Sequence, residues 1–178
     1  VIEELIASEM NVNVTLIFSL EQYVKTVEAY IRGLRRLDEW DGDMSEVRSV
    51  ASVFVSRVDT MIDKILTDKN LQGKAAVANC KVIHEKFQEI FSSKEFKLLA
   101  QGGANIQRVL WGSTSTKNPE YSDVKYVTEL ITKDTVNTIP EPTLNAFLDH
   151  GKVAEALTGK GIDAIRFLEQ LKTHNVDI

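Results

Sequence analysis

NVNVTLIFSLEQY, residues 11–23, alternates strictly as far as Phe18. Val12, Val14, Leu16 and Phe18 fall on one face of an extended strand, and Asn11, Asn13 and Thr15 fall on the other. One face is oily and the other carries amides and a hydroxyl. Ser19 then offers a helix cap, and Tyr23, Val27, Tyr30, Ile31 and Leu34 recur at helical spacing. The stretch therefore opens a strand-helix unit. Alternation by itself favours a half-exposed strand whose polar groups meet water. The alternative is a polar face that looks into an enclosed site.

The same unit recurs along the chain. VRSVASVFVS (47–56) is rich in β-branched residues and runs into RVDTMIDKILTDKN (57–70), with Val58, Met61, Ile62 and Ile65 on one stripe. Residues 73–103 predict two helices broken near Ser92 and Ser93 and stopped by Gly102 and Gly103. IQRVLWGST (106–114) is a third strand, followed by the polar loop STKNPEYSD (115–123) and a helix, DVKYVTELIT (123–132). TVNTIP (135–140) is a fourth, with helices over EPTLNAFLDHG (141–151) and GIDAIRFLEQLKTH (161–174) behind it. VIEELIASEM (1–10) is helical through Ile2, Leu5, Ile6 and Met10, and it is expected to be a helix cut in the middle, since no capping residue precedes it.

Four strand-helix units without hairpin turns predict parallel strands joined by right-handed crossovers, an α/β class. Neither GxGxxG nor GxxxxGK[ST] occurs, which favours part of a (β/α)8 barrel over an open nucleotide-binding sheet. In such barrels chemistry gathers at the carboxyl ends of the strands. Here those ends are Ser19, Ser56 with Arg57, Ser113 to Lys117, and Pro140 with Glu141. Arg57 offers a planar fork and Lys117 a point charge beside several hydroxyls, which suits an anionic substrate. The plainer role for Arg57 is a surface salt bridge with Asp59 or Asp63.

Composition narrows the classes further. The 178 residues are 43% hydrophobic and 26% charged, enough for one ordinary core and a single unit over residues 1–178. A net charge of −5 argues against nucleic acid as the main partner, because binding a phosphate backbone needs a basic surface. The basic RGLRR (32–36) is balanced by DEWDGD and reads as a solvated helix face. Cys80 is alone, so no intrachain disulfide forms, and a reducing cytoplasm is expected. No apolar run reaches the ~20 residues that a membrane span needs. His84, His150 and His174 have no metal-ligand spacing to one another or to Cys80. Cys80 and Trp111 read as packing residues, Trp40 as a loop anchor, and no metal or organic cofactor is implied.

NVNVTLIFSLEQY, SVASVFVSRVDTMIDK, GKAAVANCK, LWGSTSTKNP and DTVNTIPEPTLNAFLDHG together resemble consecutive blocks of bacterial transaldolase, in the longer-chain branch of actinobacteria and cyanobacteria. The resemblance runs over nearly all of residues 1–178 in the family's order. It implies strands five to eight of a TIM (β/α)8 barrel, with extra helices and with the amino-terminal half absent. It implies transfer of a dihydroxyacetone unit between sugar phosphates through a lysine Schiff base, in the pentose phosphate pathway. The substrates would be fructose 6-phosphate, sedoheptulose 7-phosphate, erythrose 4-phosphate and glyceraldehyde 3-phosphate. The lysine itself is expected upstream of Val1, so this chain alone is expected to be inactive.

Roles follow from the resemblance where the motifs match. Asn13 and Thr15 correspond to the amide and hydroxyl that face the Schiff-base intermediate, the threonine helping to hold a catalytic water. Ser52 and Phe54 correspond to residues that contact the sugar chain and wall the pocket. Arg57 corresponds to the principal phosphate-binding arginine, and Ser115 and Lys117 to the remaining phosphate contacts, although other branches often carry arginine where this chain has Lys117. On this reading the polar face of the opening strand looks into a barrel. The competing reading is a non-catalytic half-barrel that binds sugar phosphates or self-associates through its free sheet edges. A third is another Schiff-base aldolase of similar fold.

Overall fold

In a computed structural model that describes residues 1–158 and 161–178, four strands form one sheet. They are β1 (Asn13–Ile17), β2 (Val50–Phe54), β3 (Arg108–Gly112) and β4 (Thr135–Asn137), all parallel and in sequential order. Helices α1 (Ile2–Ala7), α2 (Leu20–Glu39), α3 (Ser56–Ile62), α4 (Ala75–Phe91), α5 (Lys94–Gln101), α6 (Lys125–Thr128), α7 (Glu141–His150) and α8 (Ile162–Lys172) fill the connections. This is the strand-helix alternation expected of half a (β/α)8 barrel, with α4 and α5 separated at Ser92 and Ser93 as the sequence predicts.

Period two explains which face is covered. Ala51, Val53 and Val55 on β2 and its end, with Val109 and Trp111 on β3, are fully buried beneath the helices. Tyr23, Val27, Tyr30 and Leu34 of α2, and Ala76, Cys80 and Ile83 of α4, fill the same core. On the other face Val50, Leu110 and Val136 are only half-buried, and Asn13, Thr15 and Arg108 are exposed. Parallel sheets are ordinarily covered on both sides, so a bare face is the signature of a barrel interior seen from within.

The alternation in the opening stretch fails at one residue. Val14 pairs with Ala51 and Ile17 with Val53, so Thr15 and Leu16 together stand opposite Ser52. This is a β-bulge, with Leu16 in the left-handed region at φ 62°. The extra residue reverses the faces beyond it. Ile17 takes the buried place at 3% exposure, whereas Leu16, expected on the oily face, is 53% exposed.

Beyond the bulge, α2 starts with a complete capping box: Ser19 Oγ accepts from the Gln22 amide, and the Gln22 side chain accepts from the Ser19 amide. Ser19→Ala is expected to cost about 1 kcal/mol, read as a lower denaturation midpoint at unchanged slope. Of the RGLRR cluster, Arg32 and Arg36 reach Glu3 on α1, and Arg35 reaches Glu95 on α5. Gly33 lets α1 approach, since a Cβ there would stand 2.6 Å from that of Ile6. These are ties across partly exposed surfaces, worth little singly.

Two helices are shorter than their periodicity predicts. Gln72 ends α3 early, its Nε2 donating to the free carbonyls of Asp63 and Leu66 at 3.0 and 2.8 Å. At α6 the Tyr126 carbonyl accepts from the Asn137 side chain, and the next amide bonds tighten to Leu130 N–H on Val127 O. Among the described residues no helix is long and apolar enough to cross a membrane.

Candidate active site

Asn13 begins β1 and Ser52 is the middle of β2, and the parallel register sets them one pairing apart on the bare face. Ser52, 3% exposed, donates from Oγ to Asn13 Oδ1 at 2.6 Å. With its carbonyl oxygen so occupied, the Asn13 amide has Nδ2 left to donate to a ligand. Thr15 lies beside them in the bulge, opposite Ser52, and is exposed. The bulge thus spreads three polar groups over a few ångströms of strand.

Phe54 ends β2 on the same face. Its ring meets Phe18 edge-on at 5.6 Å, and Gly112 on the neighbouring strand makes room for it, since a Cβ there would stand 3.3 Å from the ring. Arg57, on the first turn of α3, lays its guanidinium over that ring at 5.0 Å. Among the described residues Arg57 makes no ion pair with Asp59 or Asp63, whose carboxylates are held elsewhere. The salt-bridge alternative is therefore not what the structure contains. An exposed guanidinium supported on an aromatic ring keeps its donors available.

The third component is the loop after β3. Ser56 N–H donates to Ser113 O at 2.9 Å, and the Ser56 and Ser113 hydroxyls stand 3.1 Å apart, so the loop starts against the same turn that carries Arg57. Ser113 turns the chain at φ 55°. Thr114, wholly buried, anchors the loop by donating to Asn137 Oδ1 at 2.8 Å. Lys117 Nζ then donates to Ser115 Oγ at 2.6 Å, which joins the two loop residues singled out in the sequence. No hydrogen bond joins either of them to Arg57 among the described residues.

Four further residues tie α3 to the segment after β3, without any signal in the sequence beyond the spacing of two acids. Asp59 and Asp63 sit one helical turn apart at α3. Asp59, 1% exposed, accepts from the Ala76 amide at 2.7 Å and from Tyr126 Oη at 2.8 Å. Asp63 accepts from the Gly73 amide at 2.9 Å and from Tyr121 Oη at 2.8 Å. Burial holds the Asp59 carboxyl above its ordinary range, with the Ala76 amide and the Tyr126 hydroxyl pulling the other way. Burial chiefly, and then Asp63, push the Tyr121 phenol up to about 12. Both tyrosines stay protonated donors at neutral pH.

None of the four strands carries a lysine; every described lysine lies on a helix or a loop. Asn13 also borders a depression with Arg48 and Arg108, which lies at the amino ends of the strands, opposite the end where Arg57 and Lys117 gather.

The family model for transaldolase/fructose-6-phosphate aldolase matches residues 1–178. A transaldolase from Mycolicibacterium paratuberculosis is 44% identical over 185 residues, covering 99% of this chain and 50% of the relative. Transaldolase 2 from Nostoc sp. is 42% identical over 192 residues, with the same coverage. A transaldolase from Renibacterium salmoninarum is 46% identical over 178 residues, covering 96% of this chain and 48% of the relative. The chain spans about half the length of the curated relatives it matches.

Proposed function

Because the chain belongs to the transaldolase/fructose-6-phosphate aldolase family, we propose that it supplies strands five to eight of a transaldolase barrel, including the phosphate end of its active site. The observation that carries this reading is the placement of Arg57, Ser115 and Lys117 at the carboxyl ends of neighbouring strands, beyond a bare face bearing Asn13, Thr15 and Ser52.

The reaction is the transfer of a dihydroxyacetone unit between sugar phosphates. A lysine amine condenses with the ketose carbonyl and releases water, and the resulting iminium takes up the electron pair of the carbon-carbon bond as it breaks. The donor's ketose hydroxyl loses its proton and the aldose departs. The enamine that remains attacks the acceptor aldehyde, and hydrolysis frees the lysine. No metal or organic cofactor enters this scheme. We take the nucleophile to come from outside residues 1–178, a reading supported by the lack of a lysine on any of the four strands. Asn13 Nδ2 donates to the intermediate, Thr15 holds the water that carries the proton, and Ser52 orients Asn13 while bounding the sugar. Phe54 walls the pocket, and Arg57, Ser115 and Lys117 take the phosphate. Fructose 6-phosphate and sedoheptulose 7-phosphate are the donors, and erythrose 4-phosphate and glyceraldehyde 3-phosphate the acceptors, as in the pentose phosphate pathway of the cytoplasm.

A direct test is the intact mass of the 178-residue protein after borohydride treatment with fructose 6-phosphate. The mass is expected to stay near 20.0 kDa, with no trapped three-carbon adduct. An adduct would place the nucleophile among the lysines of this chain and overturn the assignment. The unpaired outer edges of β1 and β4 favour a second reading, a non-catalytic half-barrel that self-associates. A monomer with sharp, cooperative melting counts against it.

A further inference from the structure

The three phosphate-site residues come from two segments that do not hydrogen-bond to each other through those residues. Arg57 belongs to α3, while Ser115 and Lys117 belong to the loop 113–124. A phosphate gripped from two sides needs the sides held at a fixed separation. The start of the loop is held by main-chain bonds, Val55 N–H to Gly112 O and Ser56 N–H to Ser113 O, both 2.9 Å. Its far end has no such ladder.

The two aspartate-tyrosine pairs occupy that place. Asp59 is two residues from Arg57 on α3, buried where Arg57 is exposed, so the two side chains leave the helix on different sides. Each carboxylate accepts one main-chain amide from the entry to α4, Ala76 for Asp59 and Gly73 for Asp63, and one tyrosine hydroxyl, from Tyr126 just beyond the loop and from Tyr121 near its end. Tyr121 closes the loop and Tyr126 lies on α6, so α3 is fastened to the loop's far end at two points. The fit is close, because a Cβ on Gly73, itself at φ +67°, would stand 2.6 Å from the Tyr121 ring. Lys125 Nζ lies 5.9 and 5.7 Å from the Tyr121 and Tyr126 ring centres and 2.7 Å from Glu129. Burying a carboxylate is costly, and packed apolar side chains stabilise a core as well or better. What two directional hydrogen bonds add over apolar packing is a fixed relative position of the parts they join.

We propose that Asp59 with Tyr126, and Asp63 with Tyr121, form a double clamp that sets the distance between Arg57 and the Ser115–Lys117 loop, which makes these four positioning residues for phosphorylated substrates. The proposal rests on the phosphate-site reading above. It implies a selective loss when the clamp is loosened. Removing one hydroxyl leaves the fold's apolar packing intact but lets the loop drift from Arg57.

The test is Tyr121→Phe, Tyr126→Phe and the double variant, assayed in the complete protein with glyceraldehyde 3-phosphate and with unphosphorylated glyceraldehyde as acceptors. The double variant is expected to raise KM for the phosphorylated acceptor about tenfold, with kcat and the unphosphorylated kcat/KM within about twofold of wild type. Asp63→Asn, which keeps shape on a less buried carboxylate, is expected to shift KM in the same direction. Equal losses on both acceptors, or no change on either, overturn the clamp while leaving the phosphate site standing. A wild-type protein indifferent to the phosphate group overturns the phosphate site, and the clamp with it.

Discussion

Alanine at Arg57 is expected to raise KM for fructose 6-phosphate and glyceraldehyde 3-phosphate by about 30- to 100-fold in the complete protein. Hydrogen bonds to a charged group contribute about 1.5–3 kcal/mol, and a phosphate remote from the breaking bond would be bound alike in ground and transition states, so the proposed role puts the loss on KM and spares kcat. The geometry makes the effect clean. Arg57 rests on Phe54 and carries no ion pair among the described residues, so its removal orphans no buried partner. Steady-state kinetics with phosphorylated and unphosphorylated acceptors check it, and equal changes for both would sink the phosphate role. Lysine at this position is expected to recover only part of the loss, because an ammonium lacks the planar fork that rests on the ring.

The mirror image of that pattern belongs to β1. Asn13→Ala is expected to lower kcat by about 100-fold or more with little change in KM for either class of acceptor, since a single preorganised donor at developing charge is commonly worth about 2.7–4 kcal/mol. Thr15→Ala should lower kcat in the same way, through the water that the proposed mechanism assigns to it. Ser52 connects to this result through its 2.6 Å bond to Asn13 Oδ1, so losses at Asn13 and Ser52 should combine to less than their sum. The comparison is a kcat series for the two single variants and the double. Turnover within twofold of wild type for both Asn13→Ala and Thr15→Ala would remove β1 from the chemistry.

How much of this could be read from the chain alone depends on what carried the information. Strand and helix identities were legible because period two and period 3.6 are local, and the Ser19 cap, the Ser92–Ser93 break and the Gly102–Gly103 stop are local too. The parallel order followed from the missing hairpin turns. Leu16 was not legible. The one local sign of the bulge is an apolar Ile17 in register with Asn11, Asn13 and Thr15, and it does not say which residue is the extra one against β2.

The candidate site residues were singled out as chemistry at strand ends and as motifs, and the structure adds contacts among them: Ser52 to Asn13, Lys117 to Ser115, and Arg57 to Phe54. Asp59 and Asp63 show the limit. Their nearness to Arg57 in sequence suggested ion pairing, yet the partners lie 58 and 67 residues away at Tyr121 and Tyr126. Contacts that cross between segments depend on tertiary placement, which no window of sequence contains.

The sequential strand order has a kinetic meaning as well. Because β1, β2, β3 and β4 are neighbours in the order in which they are synthesised, each new strand finds its partner already in place, and only one intervening loop must close for each pairing. The sheet can grow from one end as the chain emerges, with the newest strand always at the edge. Each pairing still closes a connection tens of residues long, as from Asn13 to Val50 and from Val50 to Arg108, so each step is slower than a hairpin's, but none has to reach past the next unit.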